Sequence, residues 1–202
     1  MSDKPALFST PMVHCILKDL KTQTSRPMVP QDPRNSNPRW GVGDDLWVKE
    51  TWSGQDFALC SRDNMPCYMD KTGQHHPVVF KAGTEDYAWG LYGPPKWKSG
   101  RFMQKISARI WLKVTGFTGM QLQDLSEDQI RAEGIFPTEL RITSNNRNPV
   151  VWSWEAYPTP LIYDTPQAAM KALWDRIYIG LLQYDHNPWI WHYTFQKKLV
   201  LK

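Results

Sequence analysis

"KISARIWLKVTG", residues 105–116, alternates between two chemistries from end to end. Ile106, Ala108, Ile110, Leu112 and Val114 fall on one face, and Ser107, Arg109, Trp111 and Lys113 on the other. That period of two predicts a half-buried β-strand. Two further stretches read the same way. In "DDLWVKETW", residues 44–52, Leu46, Val48 and Glu50 alternate with Trp47, Lys49 and Thr51 after a glycine-rich turn. "NPWIWHYTFQKKLVL", residues 187–201, opens on an Asn-Pro turn and continues as a strand.

Between the strands lie helices of a different period. "STPMVHCILKDLK", residues 9–21, has Thr10 as a candidate N-cap and Pro11 at the first helical position, with Met12, Cys15 and Ile16 on one face. "DLSEDQIRAEGI", residues 124–135, carries both of its ends: Ser126 and Gln129 form a capping box, Leu125 and Ile130 a staple, and Gly134 a stop. "DTPQAAMKALWDRIY", residues 164–178, has a Thr165 cap, Pro166 and a stripe of Ala169, Met170, Leu173, Trp174 and Ile177. The strands outnumber the helices, and no regular strand-helix-strand repeat runs through the chain. The expected class is α+β: a mixed or antiparallel β-barrel with helices packed outside. The 202 residues fit one domain over 1–202, with a Gly-, Pro-, Asp- and Tyr-rich insertion at about 53–97.

Composition narrows the function classes. The chain carries 24 Lys and Arg against 20 Asp and Glu, a net charge of +4, which permits a polyanionic partner. Lys96, Lys98, Arg101, Lys105, Arg109 and Lys113 fall in a stretch without a carboxylate. Arg109, Trp111 and Lys113 place a tryptophan between two cations, as on a nucleic-acid-binding face; the same face also fits packing under the insertion. Eleven tryptophans suit a core, a base-stacking surface or a partner surface. An odd cysteine count and no apolar leader point to a reducing, cytoplasmic setting, and no apolar run is long enough to span a membrane. Cys60, Cys67, His75 and His76 are metal-ligand types at a spacing unlike a zinc knuckle, so no metal site is expected. Phosphate-binding glycine loops, H-E-x-x-H and a serine elbow are missing from the sequence, and no cofactor is expected.

The polar turn "KDLKTQTSRP", residues 18–27, gathers Lys21, Thr22, Thr24, Ser25 and Arg26 after the first helix. Followed by "GDDLWVKETW", "ISARIWLKVT", "LQDLSEDQIRAEGI", "ALWDRI" and "NPWIWHYTF", it resembles the ASCH domain family of the PUA-like superfamily, in particular the ASCH-like proteins of phages and prophages. The resemblance implies a small β-barrel with a cleft beside it that binds RNA or a modified nucleoside. One bacterial branch of that family hydrolyses N4-acetylcytidine with a Lys and a Thr of K-T-x-T and a Glu on a later short helix. The matching positions are Lys21, Thr24 and Glu133. Thr22, Arg26, Glu50 and Trp52 are expected to bind substrate around them. Where the family usually has glycine ahead of K-T, this chain has Asp19-Leu20, and Asp tolerates the left-handed conformation. Three functions follow as expectations: an RNA- or nucleoside-binding module, an amidohydrolase, and a phage structural or host-interaction protein.

Overall fold

A computed structural model describes residues 2–53, 57–59, 66–69, 75–82, 96–139, 150–153 and 162–198, with backbone alone at 57–59, 66–69, 75–77, 138–139 and 150. In chain order the strands and helices are β1 (Asp3–Leu7), α1 (Thr10–Leu17), β2 (Gln23–Pro27), β3 (Asp45–Lys49), β4 (Trp52–Ser53), β5 (Phe57–Leu59), β6 (Pro66–Met69), β7 (His75–Pro77) and β8 (Val79–Phe80). They continue with β9 (Trp111–Gln121), α2 (Glu127–Ala132), β10 (Phe136–Glu139), β11 (Val150–Ser153), α3 (Pro166–Ile177) and β12 (Trp189–Lys198).

The main sheet has five strands in the order β1-β3-β9-β12-β2. Its single parallel pair is β1 with β3; the other three contacts are antiparallel. The class is therefore α+β, as expected. The expected closed barrel is not formed among the described residues: β1 and β2 are the two edges of an open sheet. The edges nevertheless approach each other, since Arg26 on β2 donates from Nη2 to the Leu7 carbonyl at the end of β1, at 3.1 Å. The curl has a local cause. Opposite the register shift between Thr194 and Phe195 of β12, Thr115 of β9 is an extra residue between Val114 and Gly116, its hydroxyl bonded to that of Thr194. A bulge of this kind bends a strand and increases its twist.

Leu46, Val48, Leu112, Val114, Ile190 and Phe195 of the strands share one core with Val13, Ile16, Ile130, Ala169 and Leu173 of the helices. The lead strand starts later than its pattern suggests. Lys105–Ser107 form a short 3-10 turn that leaves Ile106 54% exposed and buries Ser107, and the strand begins at Trp111. α1 begins at Thr10, so Ser9 is its N-cap, although the Ser9 side chain makes no capping bond. In α2 both bonds of the capping box between Ser126 and Gln129 are present. α3 is capped by the Thr165 side chain, which accepts from the Ala168 N–H. Of the α3 stripe, Ala169, Met170, Leu173 and Trp174 are buried and Ile177 is not.

In the segment expected as an insertion, β4 pairs with β8, and β5-β6-β7 form a small antiparallel sheet. Cys60 and the side chains of Cys67, His75 and His76 lie outside the described residues. Among the described residues no helix is long and apolar enough to cross a membrane.

Candidate functional site

The gap between the two sheet edges is a cleft of about 640 Å3, lined by Pro5 and Leu7 of β1, Thr24, Ser25 and Arg26 of β2, and residues of α1 and α3. Lys21 and Glu133 also line it. The volume lies within the range of small-molecule sites.

The turn ahead of β2 is built by the end of α1. Asp19 adopts φ 58°, the left-handed conformation expected for it. The N–H groups of Leu20 and Lys21 both bond the Cys15 carbonyl, at 2.8 and 3.1 Å. Across the gap, α2 ends with Glu133 as its C-cap, followed by Gly134 at φ 93°. The Thr22 N–H donates to the Ala132 carbonyl at 2.9 Å, which locks the two helix ends together. Lys21 is thereby carried to Glu133, 112 residues later in the chain: Nζ donates to Oε2 at 2.5 Å and to the Glu133 carbonyl at 2.6 Å.

A carboxylate at a helix C-terminus sits at the negative end of the helix dipole. Lys21 compensates both, because its ammonium reaches the last carbonyl and the carboxylate at once. Both residues are almost wholly buried, at 3% and 4% exposure. Burial pushes the Lys21 amine below its usual range, with Glu133 opposing. Burial also pushes the Glu133 carboxyl up, but the charges of Lys21 and His192 outweigh it, and the group lies below the ordinary carboxylate range.

Beside this pair, Thr24 is 1% exposed and its Oγ1 accepts from Arg26 Nη1 at 3.0 Å. Arg26 also donates to the Ser25 carbonyl at 2.9 Å and lies over the rings of Phe8 and Trp40. Thr24, Arg26, Lys21 and Glu133, all singled out in the sequence, are thus brought to one cleft.

The other expected residues are placed elsewhere. Thr22 is exposed and outside the cleft lining. Glu50 is 1% exposed and receives a two-pronged bond from Arg109, at 2.9 and 2.8 Å. Burial still pushes its carboxyl above the usual range against the pull of Arg109. Trp52 is buried, with Lys98 over its ring. Neither Glu50 nor Trp52 lines the cleft.

The basic stretch is largely occupied within the chain. Arg109 is committed to Glu50 and the Ala82 carbonyl. Trp111 donates to the Ala108 carbonyl and has Lys105 over its ring. Lys105 pairs with Asp3, and Lys113 stands opposite Asp45 across the strands.

A second polar group was not legible in the sequence. Ser25 and His192 are cross-strand partners on β2 and β12, with Ser25 Oγ 2.9 Å from His192 Nδ1. His192 Nε2 lies 2.7 Å from the Gln23 amide oxygen, which fixes Nε2 as the protonated nitrogen and leaves Nδ1 to accept from the serine. Burial holds the imidazole below its ordinary pKa against the pull of Glu133. Glu133 Oε1 lies 3.9 Å from Nδ1 and has no hydrogen-bond partner although it is buried.

Among the described residues no cluster of three or more metal-ligand side chains occurs. Comparison of the chain with family models, with curated proteins and with solved structures found no match.

Proposed function

We propose that the chain is an ASCH-type domain whose cleft binds a nucleoside and hydrolyses an amide on its base, as in N4-acetylcytidine. The observation that carries this reading is the buried Lys21–Glu133 pair beside the Thr24 hydroxyl in one cleft. Buried titratable groups held in a cleft are costly for stability and common at catalytic sites.

Thr24 is the nucleophile. Its oxygen already accepts from Arg26, so its proton is free to leave toward a base. The Thr24 oxygen adds to the acyl carbonyl, and the bond from carbon to N4 breaks as N4 takes up a proton. Water then hydrolyses the threonine ester, so acylcytidine and water become cytidine and a carboxylate. Lys21 and Glu133 move the proton between hydroxyl and leaving amine, and the Arg26 guanidinium stabilises the oxyanion.

One observation favours a second reading, ligand binding without turnover. Lys21 Nζ is already engaged by both the carboxylate and the carbonyl of Glu133, which favour its charged form and so oppose its acting as a base.

Chromatography of purified protein with N4-acetylcytidine, beside Thr24→Ala, separates the two. Cytidine release by the wild type and none by the variant is the expected result. No release by the wild type overturns the hydrolase. Calorimetric titration of the same compound then decides whether the binding reading stands.

A further inference from the structure

The cleft has a charge that deacylation of a neutral nucleoside does not require. Five cationic side chains line it, Lys21, Arg26, Arg39, Lys49 and Arg101, against one carboxylate, Glu133. Lys21 is neutralised by that carboxylate. The other four have no carboxylate partner among the described residues, whereas seven cations outside the cleft are paired. Lys4 pairs with Asp44, Lys105 with Asp3, Arg109 with Glu50, Arg131 with Glu127, Lys171 with Asp175, Lys197 with Asp19 and Lys198 with Asp45.

Three of these cleft cations, Arg26, Arg39 and Lys49, are held in place by neutral groups instead. Arg26 and Arg39 lie over the ring of Trp40, at 5.7 and 5.9 Å. Lys49 donates to the Arg101 carbonyl at 2.6 Å, which brings the Lys49 head to the Arg101 segment. Bonds to carbonyls and ring faces orient a cation without cancelling its charge. Four cations without a described carboxylate partner around one concave site, three of them oriented, make a positive potential that a low-dielectric wall focuses inward.

We propose that the cleft binds a phosphorylated ligand, a nucleotide rather than a nucleoside, with Arg39, Lys49 and Arg101 as its phosphate-binding residues. This rests on the nucleoside reading for the base end of the ligand. The phosphate end stands on the charge distribution alone. Lys21, Thr24 and Glu133 lie deepest and face the base, while Arg39 and Arg101 are exposed at the rim, where a phosphate remains partly hydrated. The phosphate belongs either to a free mononucleotide or to a nucleotide within an RNA strand. Arg and Lys serve both, the guanidinium with a two-pronged geometry and the ammonium as a point charge.

The test is calorimetric titration of the full chain with cytidine, cytidine 5′-monophosphate, inorganic pyrophosphate and a short cytidine-containing RNA. It is run on the wild type and on the triple variant Arg39→Gln, Lys49→Gln, Arg101→Gln. The monophosphate is expected to bind about tenfold or more tighter than cytidine, as charge-assisted bonds to a phosphate imply. That advantage should shrink as salt rises and vanish in the triple variant, with cytidine affinity unchanged.

Tighter binding of the RNA than of the monophosphate assigns the phosphate to a strand; the reverse assigns it to a free nucleotide. Pyrophosphate separates this inference from the reading it rests on. If pyrophosphate binds the wild type and not the variant while cytidine binds neither, the anion site stands and the nucleoside reading falls. Equal affinity for cytidine and its monophosphate, or pyrophosphate binding untouched in a variant whose thermal unfolding is unchanged, overturns the proposal.

Discussion

At the scale of single residues, the Lys21–Glu133 pair is hard to explain as a stabiliser. Removing one partner of a buried pair costs roughly 3–5 kcal/mol, yet replacing both with well-packed apolar groups is often neutral or favourable. Its neighbour His192 gives the site an acid sensitivity of defined direction. The His192 imidazole titrates below its ordinary 6.5 in the fold, facing Ser25, Gln23 and the Glu133–Lys21 pair. As pH falls through 6.5 the unfolded chain takes up a proton that the folded chain refuses, so stability is lost there. Glu133, held below 4.5, adds a second loss of the same sign below that value, where its unfolded form protonates first. The melting temperature should therefore fall in two stages, and His192→Asn should flatten the first and keep the second. A His192→Asn variant whose melting temperature changes between about pH 7 and pH 5 just as the wild type's does would count against a lowered His192 pKa. Lys21, Thr24, Arg26 and Glu133 were legible as a group through the K-T-x-T-x-R turn and the short helix that follows. Ser25 and His192 were not. They are 167 residues apart, and only the register of β2 against β12 makes them neighbours.

At the scale of elements, local chemistry was readable wherever a signal sits within a few residues. The capping box of α2, the Thr165 cap of α3 and the left-handed Asp19 are all of this kind. The lead strand shows the limit. The 3-10 turn at Lys105–Ser107 preserves the alternation of residue types while abandoning the extended backbone, so the pattern survives where the strand does not. Ile177 shows another: it completes the apolar stripe of α3 but is exposed and lines the cleft. The end of α1 offers a direct check. Asp19 holds φ 58°, and its carboxylate pairs with Lys197 at 2.6 Å from a side chain that is 71% exposed. An exposed pair is worth at most about 1 kcal/mol, whereas a left-handed L-residue costs roughly 1–2 kcal/mol. Asp19→Ala loses the pair and keeps the strain; Asp19→Gly loses the pair and removes the strain. The glycine variant should exceed the alanine variant by about 1 kcal/mol in denaturant unfolding. Equal stabilities would mean that the turn relaxes out of the left-handed region.

At the scale of the whole molecule, the class was legible and the closure was not. Whether five strands form a barrel or an open sheet depends on two edges that are near in sequence but stand at opposite ends of the strand order and carry no local mark of meeting. Here they stop short, and one guanidinium spans the interval between Thr24, the Ser25 carbonyl and the Leu7 carbonyl. Arg26→Lys keeps the charge but cannot offer three directed donors. It should cost about 1–3 kcal/mol and speed amide exchange in β1, leaving the central strand β9 protected. Unchanged exchange in β1 would mean that the interval is held by packing alone. The same interval has a kinetic side. The contact of Arg26 with Leu7 closes a loop of only 19 residues, while the 112-residue contact of Lys21 with Glu133 and the 167-residue contact of Ser25 with His192 draw the end of α2 and β12 onto it. Contacts of such long sequence separation form slowly. A ligand seated in the interval touches segments from both ends of the chain at once and acts as a clasp that stabilises the entire fold by mass action.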